Sequence, residues 1–364
     1  MKKIIILYIF LFSCTVFAQS NDIWNAFWNK DTTKIGFKDK NGVIKIEPKF
    51  TGFTIARKFE NIIAVTNEKN NDWESYYLTK TGKIIGRDSL YVFDNGPDCE
   101  NEGFIRFRDP KTDKMGMFNG DGKIAIPAEY SNLTKVKNGM FIGLKDAKKE
   151  MDGEHFFWKG GKEFLIDINN KILVENFKYN NDYHLNYFSV EKAAKPSKDE
   201  TRESFRGIDE QYYSFINFEK EFRSWLKNNL LSDLAKDNLL KHFYQKISYS
   251  TPYRNGRSLS FTETKTKFIN KNYKLIKKKL LELTTANCDY SIFIEGLNPY
   301  NYAENEFSIY FNNCNEAKDW KYPVMDIVIS PKNKTERGQD HLEFLRTENG
   351  YKLISVSLRK DNLK

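Results

Sequence analysis

A chain of 364 residues that is 40% apolar and 15% aromatic has enough material for a real core, which excludes wholesale disorder. Its formal charge of +9 comes from 58 basic and 49 acidic residues interleaved along the whole length, the pattern of a solvated surface and not of a nucleic-acid patch. The 20 Tyr and 29 Phe favour strands over helices.

The chain opens with the form of an export signal. Lys2 and Lys3 precede an apolar run over residues 4–12, and Val16-Phe17-Ala18 suits a signal peptidase. Cleavage after Ala18 is expected, leaving a mature chain of charge +7 that begins at Gln19. The rival reading is a lipoprotein acylated at Cys14 within Leu11-Phe12-Ser13-Cys14. Phe12 is a poor neighbour for that chemistry and the apolar run continues past Cys14, so the peptidase reading is preferred. No later segment approaches the ~20 apolar residues of a membrane span. The expected location is exported: periplasmic, outer-surface or secreted.

Residues 21–193 repeat a phrase. It reads Ile35-Gly-Phe-Lys-Asp-Lys-Asn-Gly-Val-Ile-Lys-Ile-Glu-Pro-Lys-Phe50, returns in part from Tyr76 to Ile85, fully as Met115-Gly-Met-Phe-Asn-Gly-Asp-Gly-Lys-Ile-Ala-Ile-Pro-Ala-Glu-Tyr130, and worn over residues 164–174. The turn residues Gly42, Gly82 and Gly122 are spaced at forty, and Asn170 takes the place in the fourth copy. Each turn is expected to close a hairpin, because glycine takes positive φ without steric cost. The next strand is expected to run out at Pro48 or Pro127, since proline cannot donate to a ladder. Three short strands per period predict antiparallel meanders in an array of about four repeats, and such arrays usually bind rather than catalyse. The segments after each aromatic, residues 51–58, 92–102 and 131–138, differ most between copies, as a recognition face on a constant frame requires.

The Gly-aromatic step, the glycine turn, the apolar strand, the proline and the closing aromatic together resemble the WG repeat of bacterial proteins. The match runs through Gly36, Phe37, Gly42, Pro48 and Phe50, and again through Gly116, Gly122, Pro127 and Tyr130. It departs from the pattern where the name-giving Trp is Phe37 or Met117, and where residues 145–161 are inserted. The resemblance implies β architecture and a binding or scaffolding role, without an activity.

Residues 194–204 are polar and without apolar period, and are read as a linker to a separate α+β domain over 205–364. Phe215, Phe218, Phe222 and Trp225 share one helical face, and a second helix is expected through Leu231, Leu234, Leu240, Phe243 and Ile247. A third over 268–283 carries Lys271, Lys274, Lys277 and Lys278 on its outer side. Strands are expected at 290–295, 306–311, 324–329, 342–346 and 351–358. Helices followed by an antiparallel sheet make an α+β domain. The closing hairpin around Asn349-Gly350 is similar to the last hairpin of NTF2-like domains.

With Cys14 removed, Cys99, Cys288 and Cys314 remain, and Cys288 with Cys314 is the expected disulfide, Cys99 being left over. No nucleophile elbow, phosphate loop or metal spacing occurs, so no catalytic residue, cofactor or metal is assigned. Asn119-Gly-Asp-Gly122 fails as a calcium loop at Met117 and Ala128 and is read as a turn. Asp340-His341-Leu-Glu343 is the densest titratable cluster, and on a strand His341 and Glu343 share a face. Trp24, Trp28, Trp73, Trp158 and Trp320 are candidates for stacking on sugars. The expected function is an exported, non-catalytic binding or scaffolding protein, its partner an envelope protein or a surface polysaccharide. The alternative is small-molecule binding, or hydrolase or isomerase activity, in a concave pocket of the later domain.

Overall fold

The computed structural model describes residues 22–69, 72–93, 96–252, 258–285, 288–331, 338–360 and 363–364. The leader and Cys14 lie outside the described residues. The chain is mainly β, 46% strand against 15% helix, so inter-strand ladders and not helix packing dominate its backbone bonding.

The repeated turns share one hydrogen-bond scheme. Gly42, Gly82, Gly122 and Asn170 have φ of 84°, 86°, 69° and 61°. Each donates its amide to the carbonyl three residues back, at Asp39, Thr79, Asn119 and Asp167, over 2.8–3.0 Å. The side chains at those acceptor positions also take the amides of Val43, Lys83, Lys123 and Lys171. That is why they are Asp, Thr or Asn, and why Asn170, which tolerates the left-handed region, replaces glycine.

A second glycine position has a different cause. A Cβ on Gly36 or Gly116 would stand 2.5 Å from the carbonyl oxygen of Ile46 or Ile126. The approach is close because the ladder bulges there: Phe37 faces Ile46 but Ile35 faces Phe50, and Met117 faces Ile126 but Met115 faces Tyr130. Pro48 and Pro127 sit inside these bulges. The strands Ile44–Phe50 and Ile124–Tyr130 therefore continue through the prolines instead of ending at them. Both closing aromatics are buried.

Strands pair antiparallel throughout this half. Ile62–Lys69 joins Asp72–Thr79 within a seven-stranded sheet; Phe104–Arg108, Met115–Asn119 and Ile124–Tyr130 form a three-stranded one. Met140–Lys145, Lys162–Asp167 and Ile172–Glu175 belong to the next, and the insertion forms the hairpin Lys148–Asp152 with His155–Lys159. The expected linker is a connection inside a sheet. Residues 194–201 join Leu185–Ala193 to Arg202–Arg206, and both of these strands pair with Tyr212–Asn217. Phe215 accordingly lies on a strand and packs with Phe177 and Tyr187, while the helix begins at Phe218 behind the N-cap Asn217.

In the later half the strand order is Ser260–Thr264, Phe243–Ser250, Gly350–Ser357, Asp340–Thr347, Val324–Ile329 and Tyr290–Glu295. Only the pairing of Phe243–Ser250 with Gly350–Ser357 is parallel. The helices Phe218–Trp225 and Lys265–Glu282 cover one face, and buried Phe222, Phe268, Ile276, Met325, Ile327, Leu342 and Phe344 fill the space between. Two expectations fail here. The second helix is confined to Lys236–Lys241 because Phe243 and Ile247 alternate onto the sheet's core face, and residues 305–310 form a 3-10 turn instead of a strand.

The disulfide is Cys99–Cys314, with Cα atoms 6.0 Å apart, and not Cys288–Cys314. Cys288 packs against the helix-covered core, whereas Cys314 sits on a loop that reaches the other half of the chain. Around the bridge, the amides of Arg57 and Lys58 donate to the carbonyl of Asn313 at 2.8 and 2.9 Å, and the Asn313 amide group donates to Glu60 at 3.1 Å. The bridge spans 215 residues of sequence, so the loop-closure model assigns it about 5 kcal/mol.

C99S is expected to lower the thermal midpoint strongly and C288S only slightly, and peptide mapping without reductant should recover Cys99 joined to Cys314. G116A is expected to cost about 1–3 kcal/mol through overpacking against a backbone that cannot move aside, measured by urea unfolding.

Candidate functional site

Three adjoining clefts run over the repeat half, and the three variable segments supply lining residues to them. Phe53 comes from the first segment, Val92, Phe93 and Pro97 from the second, and Asn132, Thr134, Lys135 and Lys137 from the third. The clefts adjoin: Val92 lines two of them, and Tyr91, Phe93 and Asn132 are shared between two.

The first cleft, about 410 Å³, lies between the repeat half and the loop that carries Cys314. Arg106, on the alternating strand Phe104–Arg108, points away from the core face of Ile105 and Phe107 and is held rigidly. Its Nη2 and Nε donate to the two oxygens of Asp98 at 2.6 and 3.0 Å, and Nη1 donates to the Leu133 carbonyl at 2.8 Å. The guanidinium lies 4.6 Å from the centre of the Tyr91 ring. Burial by itself would raise the Asp98 carboxyl, but Arg106 beside it holds the group below its ordinary value of 3.8. Lys137, also buried, donates to the Asp182 carboxylate at 2.8 Å and to its carbonyl at 3.0 Å. Its ammonium stands 5.5 Å from the Trp320 ring. Lys135 pairs with Glu316 across the two halves. Burial pushes up the carboxyl of Asp319 and the hydroxyls of Tyr179 and Tyr183. The Tyr183 ring stays 55% exposed on the rim, available for contact.

The second cleft, about 440 Å³, is walled by the inserted hairpin. Phe156 and Trp158 meet edge to face at 5.7 Å, Lys149 lies 4.2 Å from the Phe156 ring centre, and Arg108 and Lys149 share Asp113 at 2.9 and 3.2 Å. The third, about 510 Å³, is framed by Phe53 and Trp73, which meet edge to face at 6.0 Å and are both more than half exposed. The hydroxyls of Thr66 and Ser75 lie 3.2 Å apart on its floor. The surface thus presents exposed aromatic faces between cations that already have carboxylate partners. Such a surface offers stacking and directional hydrogen bonds without a net field, which suits an uncharged, hydroxyl-rich chain.

Of the tryptophans singled out by sequence, Trp73, Trp158 and Trp320 line these clefts. Trp24 packs edge-on against Phe59 at 5.4 Å, and Trp28 lies under Arg57. Asn119–Gly122 is a turn, as its hydrogen bonding requires. Lys274, Lys277 and Lys278 line a shallow dip on the third helix, while Lys271 pairs with Glu263 at 2.8 Å. Of the titratable cluster, His341 and Glu343 share the sheet face away from the helices. Asp340 points to the opposite side, held by Lys279 at 2.9 Å and Arg359 at 3.1 Å. Among the described residues, no three His, Cys, Asp or Glu are grouped so as to hold a metal ion. Sequence reasoning missed Tyr91, the Asp98–Arg106 pair and the wall residues Glu316, Ala317 and Asp319 beside Trp320. The alternation Ile105-Arg-Phe-Arg108, which puts cations on the face opposite the core, is the one signal that marked Arg106.

No protein-family model, curated protein or solved structure matches the chain.

Removing one partner of a buried ion pair leaves the other charge uncompensated, so D98A is expected to cost about 3–5 kcal/mol in urea unfolding. The carboxyl is depressed in the folded state, so its contribution is complete above its ordinary value of 3.8 and is lost as pH falls through the lower folded value. The gap between wild type and D98A should therefore shrink only in strong acid.

Proposed function

We propose that this chain is an exported, non-catalytic binding protein whose repeat half, of the WG type, holds an extended surface polysaccharide along the three adjoining clefts. The observation that carries the reading is the convergence of the variable segments on one aromatic-lined surface whose cations are already paired. Phe53 with Trp73, Phe156 with Trp158, and the rim residue Tyr183 would supply successive stacking platforms for sugar rings, and Asn132 a polar contact between them. The leader and the disulfide support export, because such bridges persist in oxidising compartments. The forty-residue period and its shared turn scheme support a repeat array, and the helix-and-sheet half serves in this reading as the platform that presents the loop at 312–320. No bond-making step is assigned to the clefts.

The test is binding of the exported protein to polysaccharide prepared from its own cell envelope, followed by affinity electrophoresis. W73A, W158A and Y183A should each weaken retardation about tenfold, near 1.4 kcal/mol per stacking contact, while the melting temperature stays within a few degrees. Retardation that survives all three substitutions, or capture of an envelope protein with no glycan bound, would overturn the reading.

A further inference from the structure

The face of the six-stranded sheet turned away from the helices carries two polar rows. One runs Phe293, Asp326, Glu343, Ser355, Ser248, Thr262 across the strands, each residue opposite the next. The other runs Ser291, Val328, His341, Ser357, Ser250, Ser260. This is the reverse of the apolar, helix-covered side, where Ile327, Leu342 and Val356 are buried. At one end of this side Tyr302, Phe307 and Tyr310 pack over Val324, Leu345 and Ile354; the polar rows lie beyond them, and a sheet face does not ordinarily concentrate acids at one spot.

Here one carboxylate and one imidazole, Asp326 and His341, are in contact, and two further acids stand near them. Asp326 is 4% exposed; its Oδ2 lies 2.8 Å from His341 Nδ1, and its Oδ1 has no hydrogen-bond partner. Glu343 stands directly across from Asp326, and Glu295 is close enough to act on both Glu343 and His341. Burial, then the charges of Asp326 and Glu295, push the Glu343 carboxyl up. The His341 imidazole is raised chiefly by its hydrogen bond to Asp326. No lysine or arginine among the described residues pairs with Glu295 or Glu343. Lys246, on the same face, is engaged by Glu304 and Glu306, and the Tyr302 hydroxyl donates to the Ile354 carbonyl. A basic chain therefore carries an acidic spot in which one imidazole, His341, stands beside buried Asp326, half-buried Glu343 and exposed Glu295. Leaving an acceptor of a buried carboxylate unpartnered costs free energy that a donor at that position would recover.

We propose that this face is a binding site for an organic primary amine carried on a hydroxyl-bearing frame, as in an amino sugar. The ammonium would donate to Asp326 Oδ1 and to Glu343, two acceptors from adjacent strands, with Glu295 adding charge from the side. The half-exposed Phe293 ring, opposite Asp326, supplies an apolar edge and a cation–π face. The serine hydroxyls at 355, 357, 248 and 250 extend both rows and match hydroxyls on the frame. The site lies apart from the clefts of the repeat half and does not depend on them.

Calorimetry on the full chain, with glucosamine, glucose, N-acetylglucosamine and calcium chloride as separate probes, tests this. Glucosamine should bind saturably and the two uncharged sugars at least tenfold more weakly. E343Q and D326N should each lose at least tenfold, and E343Q, isosteric and on a half-buried side chain, keeps the test valid if D326N fails to fold. Glucosamine should also shift the imidazole NMR signal of His341, the histidine whose signal H341N removes, while those of His155, His184 and His242 stay in place. Equal binding of glucose and glucosamine, displacement of the amine by calcium, or no saturable binding of glucosamine would overturn the proposal.

Discussion

The loop at 312–320 has to be held against the repeat half, and the first cleft exists only because it is. Cys314 is bonded to Cys99, Asn313 receives two backbone amides from residues 57 and 58, and Glu316 pairs with Lys135. These contacts pin a short irregular segment whose own 3-10 turn and surrounding aromatics, Phe307, Tyr310 and Tyr322, anchor it on the other side to the six-stranded sheet. Trp320 is placed over Lys137 as a result, closing a wall that neither half has alone. A covalent link across so long a stretch of sequence acts mostly on the unfolded chain, by removing conformations it would otherwise explore. Its local effect is positional. It fixes which part of the later half meets which of the earlier strands.

Within the repeat half the frame and the lining obey different rules. The frame is set by backbone needs: positive φ at the turns, a side-chain acceptor three residues before each, and a missing Cβ where a bulge brings two strands together. These demands leave few residue types, so they recur. The lining answers to fewer such demands: at the forty-residue spacing residues 52, 92 and 132 are Gly, Val and Asn, whereas residues 53, 93 and 133 remain apolar as Phe, Phe and Leu. The buried ion pairs of the first cleft lie between these extremes. Asp98 with Arg106 and Lys137 with Asp182 contribute little net stability once desolvation is counted, but they orient the aromatic rings packed over them.

The two faces of the later sheet show how one element serves two ends. Alternation along the strands sends Met325, Ile327 and Leu342 to the helices and Asp326, His341 and Glu343 to the other side. The helix-covered side is filled, while the other side is covered at one end by Tyr302, Phe307 and Tyr310 and keeps its polar groups beyond them. Asp340 illustrates how strict the alternation is, since it lies next to His341 in sequence and yet is buried in an ionic cluster with Lys279 and Arg359 on the far face.

The sequence by itself determined what depends on neighbours along the chain. The β character, the glycine turns and their spacing, the long helix with its apolar face, the strands at 290–295, 324–329 and the final hairpin, and the shared face of His341 and Glu343 all follow from short-range periodicity and local sterics. Tertiary structure decided what depends on distant partners. Cys288 reads as the natural partner of Cys314 because both flank strand-like runs of the later half, and spacing says nothing about which loop projects towards Cys99. Phe215, Phe243 and Ile247 satisfy a helical period and a strand period equally over a few residues, and pairing with strands far along the chain resolved them as strands. The polar run at 194–204 reads as a linker because nothing local marks it as sheet, and its ordering comes from Tyr212–Asn217, which pairs with the strands on both sides of it. The cleft, the partner of Arg106 and the unsatisfied oxygen of Asp326 were invisible for the same reason: each is a relation between segments that only folding brings together.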